Sequence, residues 1–203
     1  HTGLLGRHQP LNASLAALAV LPLAGPEAVA EGIAAARWPV RQEIVRQADP
    51  LVVIDGSHNP QSVRELADTL GRVFKGRNVV FVCGVMADKD HAEMLRLVLA
   101  NQDFLAAAFI AVTPDNLRAM GAEALLQEAR TILMEDRLVK TGSADYNETC
   151  MLRAIEDPVT AVGAAMQIAM VNNGVVCVFG SLYMVGAVRS VLRRGEIPEK
   201  GDA

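Results

Sequence analysis

Four short apolar runs, at 51–54, 79–83, 107–112 and 175–179, divide the chain. Each is continuous rather than alternating, the pattern of a strand buried on both faces. Between them the spacing changes. After Asn59-Pro60, apolar residues fall at Val63, Leu66, Ala67, Leu70, Val73 and Phe74, which is helical. Asn59 suits the N-cap of that helix, and Pro60 its first position, where a missing N–H costs nothing. Asp90 with Glu93 forms a variant capping box ahead of Met94, Leu95 and Val98, and Asp157-Pro158 opens a third helix. Strand and helix in alternation predict an α/β domain with a mostly parallel sheet.

Residues 42–45 and 51–54 are separated by a polar turn containing Asp49-Pro50, which predicts a hairpin and one antiparallel edge strand. Two Ala-rich helices are expected at 12–23 and 27–36, split by Gly25-Pro26. The polar stretch 141–148 reads as a loop, with Leu138-Val139-Lys140 a candidate for another strand. One domain is expected over 1–203, with 1–12 as a hinge and 193–203 as a loose tail.

Composition narrows the classes. At 203 residues the chain can bury one substantial core. Half of it is hydrophobic, yet the longest apolar stretch, 159–170, is broken by Gly163 and Gln167, so no membrane span is expected. His1-Thr2-Gly3 leads into mixed polar sequence, and no signal peptide is expected. A net charge of −4 and 4% aromatics argue against a nucleic-acid partner. Cys83, Cys150 and Cys177 are far apart and lack metal-ligand spacing, which favours a reducing, cytoplasmic setting.

Ligands of open parallel sheets bind at the carboxyl ends of the strands. There the chain carries Asp55-Gly56-Ser57-His58-Asn59-Pro60, then residues 84–90 with Asp88-Lys89-Asp90, then Thr113-Pro114-Asp115, and finally Gly180-Ser181-Leu182-Tyr183. The strands themselves carry none of this chemistry.

The same residues resemble the third domain of folylpolyglutamate and dihydrofolate synthases. Residues 5–13, Leu-Gly-Arg-His-Gln-Pro-Leu-Asn-Ala, are similar to that domain's opening. Trp38-Pro39-Val40-Arg41-Gln42-Glu43 resembles the family's Trp-x-Gly-Arg block, with Val40 where Gly is usual. Asp55 to Pro60 resembles Asp-Gly-Ala-His-Asn-Pro. The Asp88-Lys89-Asp90, Thr113-Pro114 with Arg118-Ala119, and Gly180-Ser181-Leu182-Tyr183 blocks follow in family order.

That resemblance implies a Rossmann-like domain of the Mur ligase C-terminal type, with helices on both faces of the sheet. It implies an ATP-dependent ligase joining L-glutamate to a folate-type acid through an acyl phosphate. ATP contacts carry over to Asn12, Arg41 and Asp55, and glutamate contacts to His58, Ser181 and Lys89. No catalytic group and no metal ligand is assigned to this domain. The phosphate-binding loop is not encoded here, so ATP and Mg2+ are expected to depend on an N-terminal ATPase domain in cis, and the chain alone is expected to be inactive.

Each residue also has a local role open to it. Asn12 and Ser181 could be N-caps, Lys89 a solvated partner of its acidic neighbours, and Arg41 a cover for the hairpin edge. Two other functions compete: a fragment of a peptidoglycan Mur ligase, or a free-standing Rossmann-like nucleotide-binding module. A nicotinamide enzyme is disfavoured, because no G-x-G-x-x-G follows any strand.

Overall fold

The computed structural model describes residues 3–141 and 150–196. Six strands form one sheet: β1 (Glu43–Arg46), β2 (Leu51–Ile54), β3 (Asn78–Cys83), β4 (Leu105–Ala111), β5 (Met151–Ala154) and β6 (Val175–Phe179). Their order is β1-β2-β6-β3-β4-β5, parallel throughout except for the antiparallel β1–β2 pair. Helices α2 (Pro60–Val73), α3 (His91–Leu99) and α4 (Ala122–Thr141) cover one face. Helices α5 (Pro158–Asn172) and α6 (Leu182–Arg194) cover the other.

The period-2 geometry of a strand explains why the apolar runs are continuous. Val79, Phe81 and Cys83 enter the first core layer, while Val80 and Val82 enter the second. Val175, Cys177 and Phe179 likewise oppose Val176 and Val178. Phe81 sits at the centre, its ring 5.8 Å from those of both Phe104 and Phe179. Helix α2 folds because its apolar residues share one face and its ends are satisfied. Asn59 Oδ1 accepts from Ser62 N, and Ser62 Oγ lies 3.3 Å from Asn59 N. Its Leu66 is fully buried. We expect Leu66→Ala to cost about 2–5 kcal/mol of stability, since a cavity remains that neighbours only partly fill; urea unfolding checks it.

All three cysteines are buried thiols outside any disulfide, and burial raises the pKa of each, to about 12 for Cys150.

Several expectations need correction. Leu138, Val139 and Lys140 are not a strand; they belong to the last turns of α4, whose inward residues Ala122, Leu125, Leu126, Ala129 and Ile132 follow helical spacing. The fifth strand lies instead at Met151–Ala154, and its half-exposed edge position leaves no apolar run to read. The Asp90 capping box is half made: Asp90 accepts from Glu93 N, but Glu93 pairs with Arg64 at 3.1 Å. Arg193 and Arg194 are helical, and α6 stops at Gly195, which takes the left-handed conformation that suits a residue without Cβ. Of the loop expected at 141–148, Thr141 ends α4 and the rest lies outside the described residues, as does the tail from 197.

The two Ala-rich helices are present and split as expected: they make up the two arms of α1 (Gln9–Ala35), divided where Gly25 leaves helical geometry at φ 75. By length and composition alone 9–35 is long and apolar enough to cross a bilayer and exceeds the 159–170 stretch, but its break at Gly25 leaves two shorter helices. Pro22 and Pro26 flank that break in α1. Apart from Gln9, none of its residues is buried, and Leu11, Leu15 and Leu18 point into solvent. The segment ahead of it is tied to α2 by His8 to Glu65 at 3.0 Å and, more loosely, Arg7 to Asp68 at 3.9 Å.

Candidate functional site

Strand β6 returns between β2 and β3, and its helix leaves on the face opposite theirs. At the carboxyl edge of a sheet, such a reversal is where ligands of open parallel sheets bind. The exits are locked together by backbone bonds: Asp55 N donates to Val178 O, and Gly180 N to Ser57 O, both at 2.9 Å. Gly180 has φ 112, and a Cβ there would come within 2.5 Å of Gly84 O. A residue without a side chain is what lets the exits of β6 and β3 touch.

Asp55 is the buried hub of the β2 exit. One carboxylate oxygen accepts from Gln42 N at 2.7 Å, the other from Ser57 N at 2.7 Å and from Ser57 Oγ. Burial raises its pKa above the ordinary carboxylate value. The hydrogen bonds from Ser57 and Gln42 and the charge of Arg41 pull the other way without cancelling it.

His58 is half-buried, and its Nδ1 lies 2.8 Å from Gly56 O. A carbonyl can accept but not donate, so Nδ1 carries the proton and Nε2 is left for another partner. It accepts while the ring is neutral and donates once protonated, which suits either the ammonium or a carboxylate of an amino acid.

Ser181 caps α6 by position, yet its side chain makes no capping bond. Its hydroxyl is buried without a partner among the described residues. A buried unpaired hydroxyl is costly, and here it stands beside the free N–H groups of a helix start, where an anion is favoured.

Lys89 lies in the β3 exit loop and reaches Asp88 at 3.4 Å, an ion pair that Arg118 joins from 3.9 Å. Asn12 is inside α1 rather than at its cap, which is His8; its amide donates to Gln9 Oε1 at 3.3 Å. Arg41 is exposed. With Asn12 and Trp38 it lines a groove of about 530 Å3 between the two arms of α1, walled by Ala17, Val29 and Ile33. Asp55 does not line that groove. The structure thus brings Asn12 to Arg41, and His58 and Ser181 to adjoining, hydrogen-bonded strand exits. Among the described residues, no group of three or more His, Cys, Asp or Glu side chains is arranged to hold a metal.

One cluster escapes sequence reasoning. Glu43 takes both Arg189 Nε at 2.7 Å and Arg189 Nη2 at 2.9 Å, and also Arg193 Nη2 at 3.0 Å. Nothing in the spacing of residues so far apart announces it. Burial raises the Glu43 pKa, but the bonds from Arg189 and Val40 N and the two guanidinium charges outweigh it, so the value falls below the ordinary one.

The family model described as "Mur ligase, glutamate ligase domain" matches residues 40–182. The folylpolyglutamate synthase of Lacticaseibacillus casei is 31% identical over 178 residues, covering 84% of this chain and 33% of that protein. The Mycobacterium tuberculosis folylpolyglutamate synthase complexed with ADP and AMPPCP superposes with a TM-score of 0.78 at 28% identity, covering 95% of this chain and 41% of that one. The bifunctional folylpolyglutamate synthase/dihydrofolate synthase of Yersinia pestis c092, complexed with AMPPNP and Mn ion, has a TM-score of 0.66 at 28% identity, with coverage of 95% and 41%. The chain therefore spans well under half the length of the relatives it matches. It belongs to the Mur ligase family, as a C-terminal, glutamate ligase domain, and these relatives are ATP-dependent ligases. Helix α1 lies outside the matched segment.

Proposed function

We propose that this chain is the glutamate-binding and nucleotide-contacting part of a cytoplasmic ligase that joins L-glutamate to dihydropteroate or a folate. It does so in cis with a preceding ATPase domain, and by itself it does not turn over. The observation that carries the reading is the unpaired, buried Ser181 hydroxyl at the start of α6, on a strand exit hydrogen-bonded to the one that bears His58. Glutamate brings two carboxylates and one amine. A helix start with an unpaired hydroxyl suits a carboxylate, and His58 Nε2 suits the other polar end. Lys89 becomes a third donor on exchanging Asp88 for substrate.

On the nucleotide side, the Arg41 guanidinium can grip phosphate oxygens in a fork, and the Asn12 amide can hold a base edge. The Asp55 carboxylate is engaged internally, so its share is to fix the strand exit, with ribose contact requiring a shift of Gln42 or Ser57. Glutamate held at the strand exits would present its amine to the acyl phosphate of the acceptor, and attack forms the amide as phosphate departs. The divalent metal supplies charge neutralisation on the phosphates; its ligands are expected from the preceding domain. The exposed apolar faces of α1 support that partner in cis, because such a surface needs cover and the relatives are longer.

The test is ATP-dependent incorporation of labelled glutamate by the protein with its upstream coding region restored, offered dihydropteroate and a folate monoglutamate in parallel, with this chain alone as control. Label is expected only with the restored protein, and the preferred acceptor identifies the activity. Failure of both proteins, with nucleotide bound by the chain alone, would leave a free-standing binding module as the better account.

A further inference from the structure

Arg41 stands between two residues in the left-handed region, Val40 at φ 63 and Gln42 at φ 47. Neither is glycine, and Val40 is β-branched, so the turn opposes its own backbone preference. A turn of this kind persists where its surroundings over-determine it. Here Val40 N donates to Glu43 Oε2 at 2.8 Å, Val40 O accepts from Gly56 N at 2.8 Å, and Gln42 N donates to Asp55 at 2.7 Å. Two carboxylates therefore hold the residues on either side of Arg41. Asp55 belongs to the strand exit itself. Glu43 is held by α6, through the Arg189 fork and Arg193.

We infer that Glu43, clamped by Arg189 and Arg193, is a positioning residue for Arg41 that fixes the strained turn so the guanidinium meets the nucleotide phosphates. This rests on the reading of Arg41 as a phosphate contact. A fork–fork pair between Glu43 and Arg189 sets direction as well as distance, which a lone charge would not. The three residues need not touch a substrate; the turn transmits their effect. Helix α6 then serves both halves of the site, with Ser181 at its start and the clamp about two to three turns on.

The experiment is steady-state kinetics of the restored ligase carrying Glu43→Gln, Arg189→Lys, Arg41→Met or the Glu43→Gln/Arg41→Met pair, with thermal melts alongside. Glu43→Gln is expected to raise KM for ATP about tenfold, within the hundredfold that a misplacement of about 1 Å can cost. KM for glutamate should hold within about twofold. In the Arg41→Met background the same change should add less than about twofold, because the residue it acts through is gone. Arg189→Lys keeps the charge, loses the fork and should shift KM for ATP in the same direction, which covers a Glu43 variant that does not fold. The inference is overturned by an equal effect of Glu43→Gln in both backgrounds, or by a lowered melting temperature with KM for ATP unchanged. If the wild type ligates while Arg41→Met leaves KM for ATP unaltered, the phosphate role of Arg41 fails first and the inference falls with it.

Discussion

Ser181→Ala is expected to leave the fold intact or make it slightly more stable, and to cripple ligation by the restored enzyme. The hydroxyl is buried and unpaired, so removing it deletes a desolvated polar group at no loss of a bond. A gain of up to about 1 kcal/mol in urea unfolding is the expected scale. In the restored ligase the same change should raise KM for glutamate by about ten- to a hundredfold, the cost of one hydrogen bond to a charged group. KM for ATP should stay level. A hydroxyl that served the fold would give the opposite pair of results, with stability lost and KM unmoved. The combination expected here marks a residue kept at the expense of stability because a ligand completes it.

The second large effect is on the fold itself. Asp55→Ala is expected to cost about 3–5 kcal/mol, because Gln42 N and Ser57 N lose their acceptor together in a buried setting, while Ser57 Oγ keeps only Ser62 O. Asp55→Asn keeps one oxygen and turns an amide against a second donor, which should cost about 2 kcal/mol. The pH dependence separates the charge from the bonds. Burial lifts the folded pKa of Asp55 above its ordinary 3.8, so its contribution is complete below that value and declines as pH rises through the folded pKa. The deficit of Asp55→Asn should therefore be larger near pH 3 than near pH 7, by urea midpoints at about those two values. Glu43 runs the other way. Its pKa is depressed from 4.5, so its stabilisation is present above that value and is lost as pH falls through the folded pKa. That loss is common to both proteins and cancels in their difference.

Much of the architecture is legible in the chain because the parallel strands are buried on both faces. The continuous runs at 51–54 and 175–179 coincide with β2 and β6 for this reason. Helix starts were equally readable where a side chain caps them: Asn59 and Asp157 accept from Ser62 N and Thr160 N, as those residue types in those places imply. What escaped was structure without a local signature. Strand β5 is short and half exposed, and it owes its existence to pairing with β4. Helix α4 did carry a signal, the spacing of Ala122, Leu125, Leu126, Ala129 and Ile132, but the apolar pair Leu138-Val139 in its last turns imitates a strand.

The site divides in the same way. The residues past each strand were readable, since the turn from strand to helix exposes them. Their mutual arrangement was not: the engagement of Asp55 with Ser57 and Gln42, the vacant hydrogen-bonding capacity of Ser181 and the grip of α6 on Glu43 all depend on contacts between distant segments. Val40 shows the boundary between the two. Its departure from the family's glycine is visible in the sequence, but the positive φ that gives the departure meaning is visible only in the fold.

The buried thiols make this domain a quiet background for labelling chemistry. Maleimides and iodoacetamides react with thiolates, and Cys83, Cys150 and Cys177 are both shielded and held in the protonated form. A single new cysteine at Leu117, whose side chain is fully exposed beside the β3 exit loop, would then take a fluorophore without the native residues being removed. Attached there, the dye would report in real time whether the proposed preceding domain comes near the β3 exit loop.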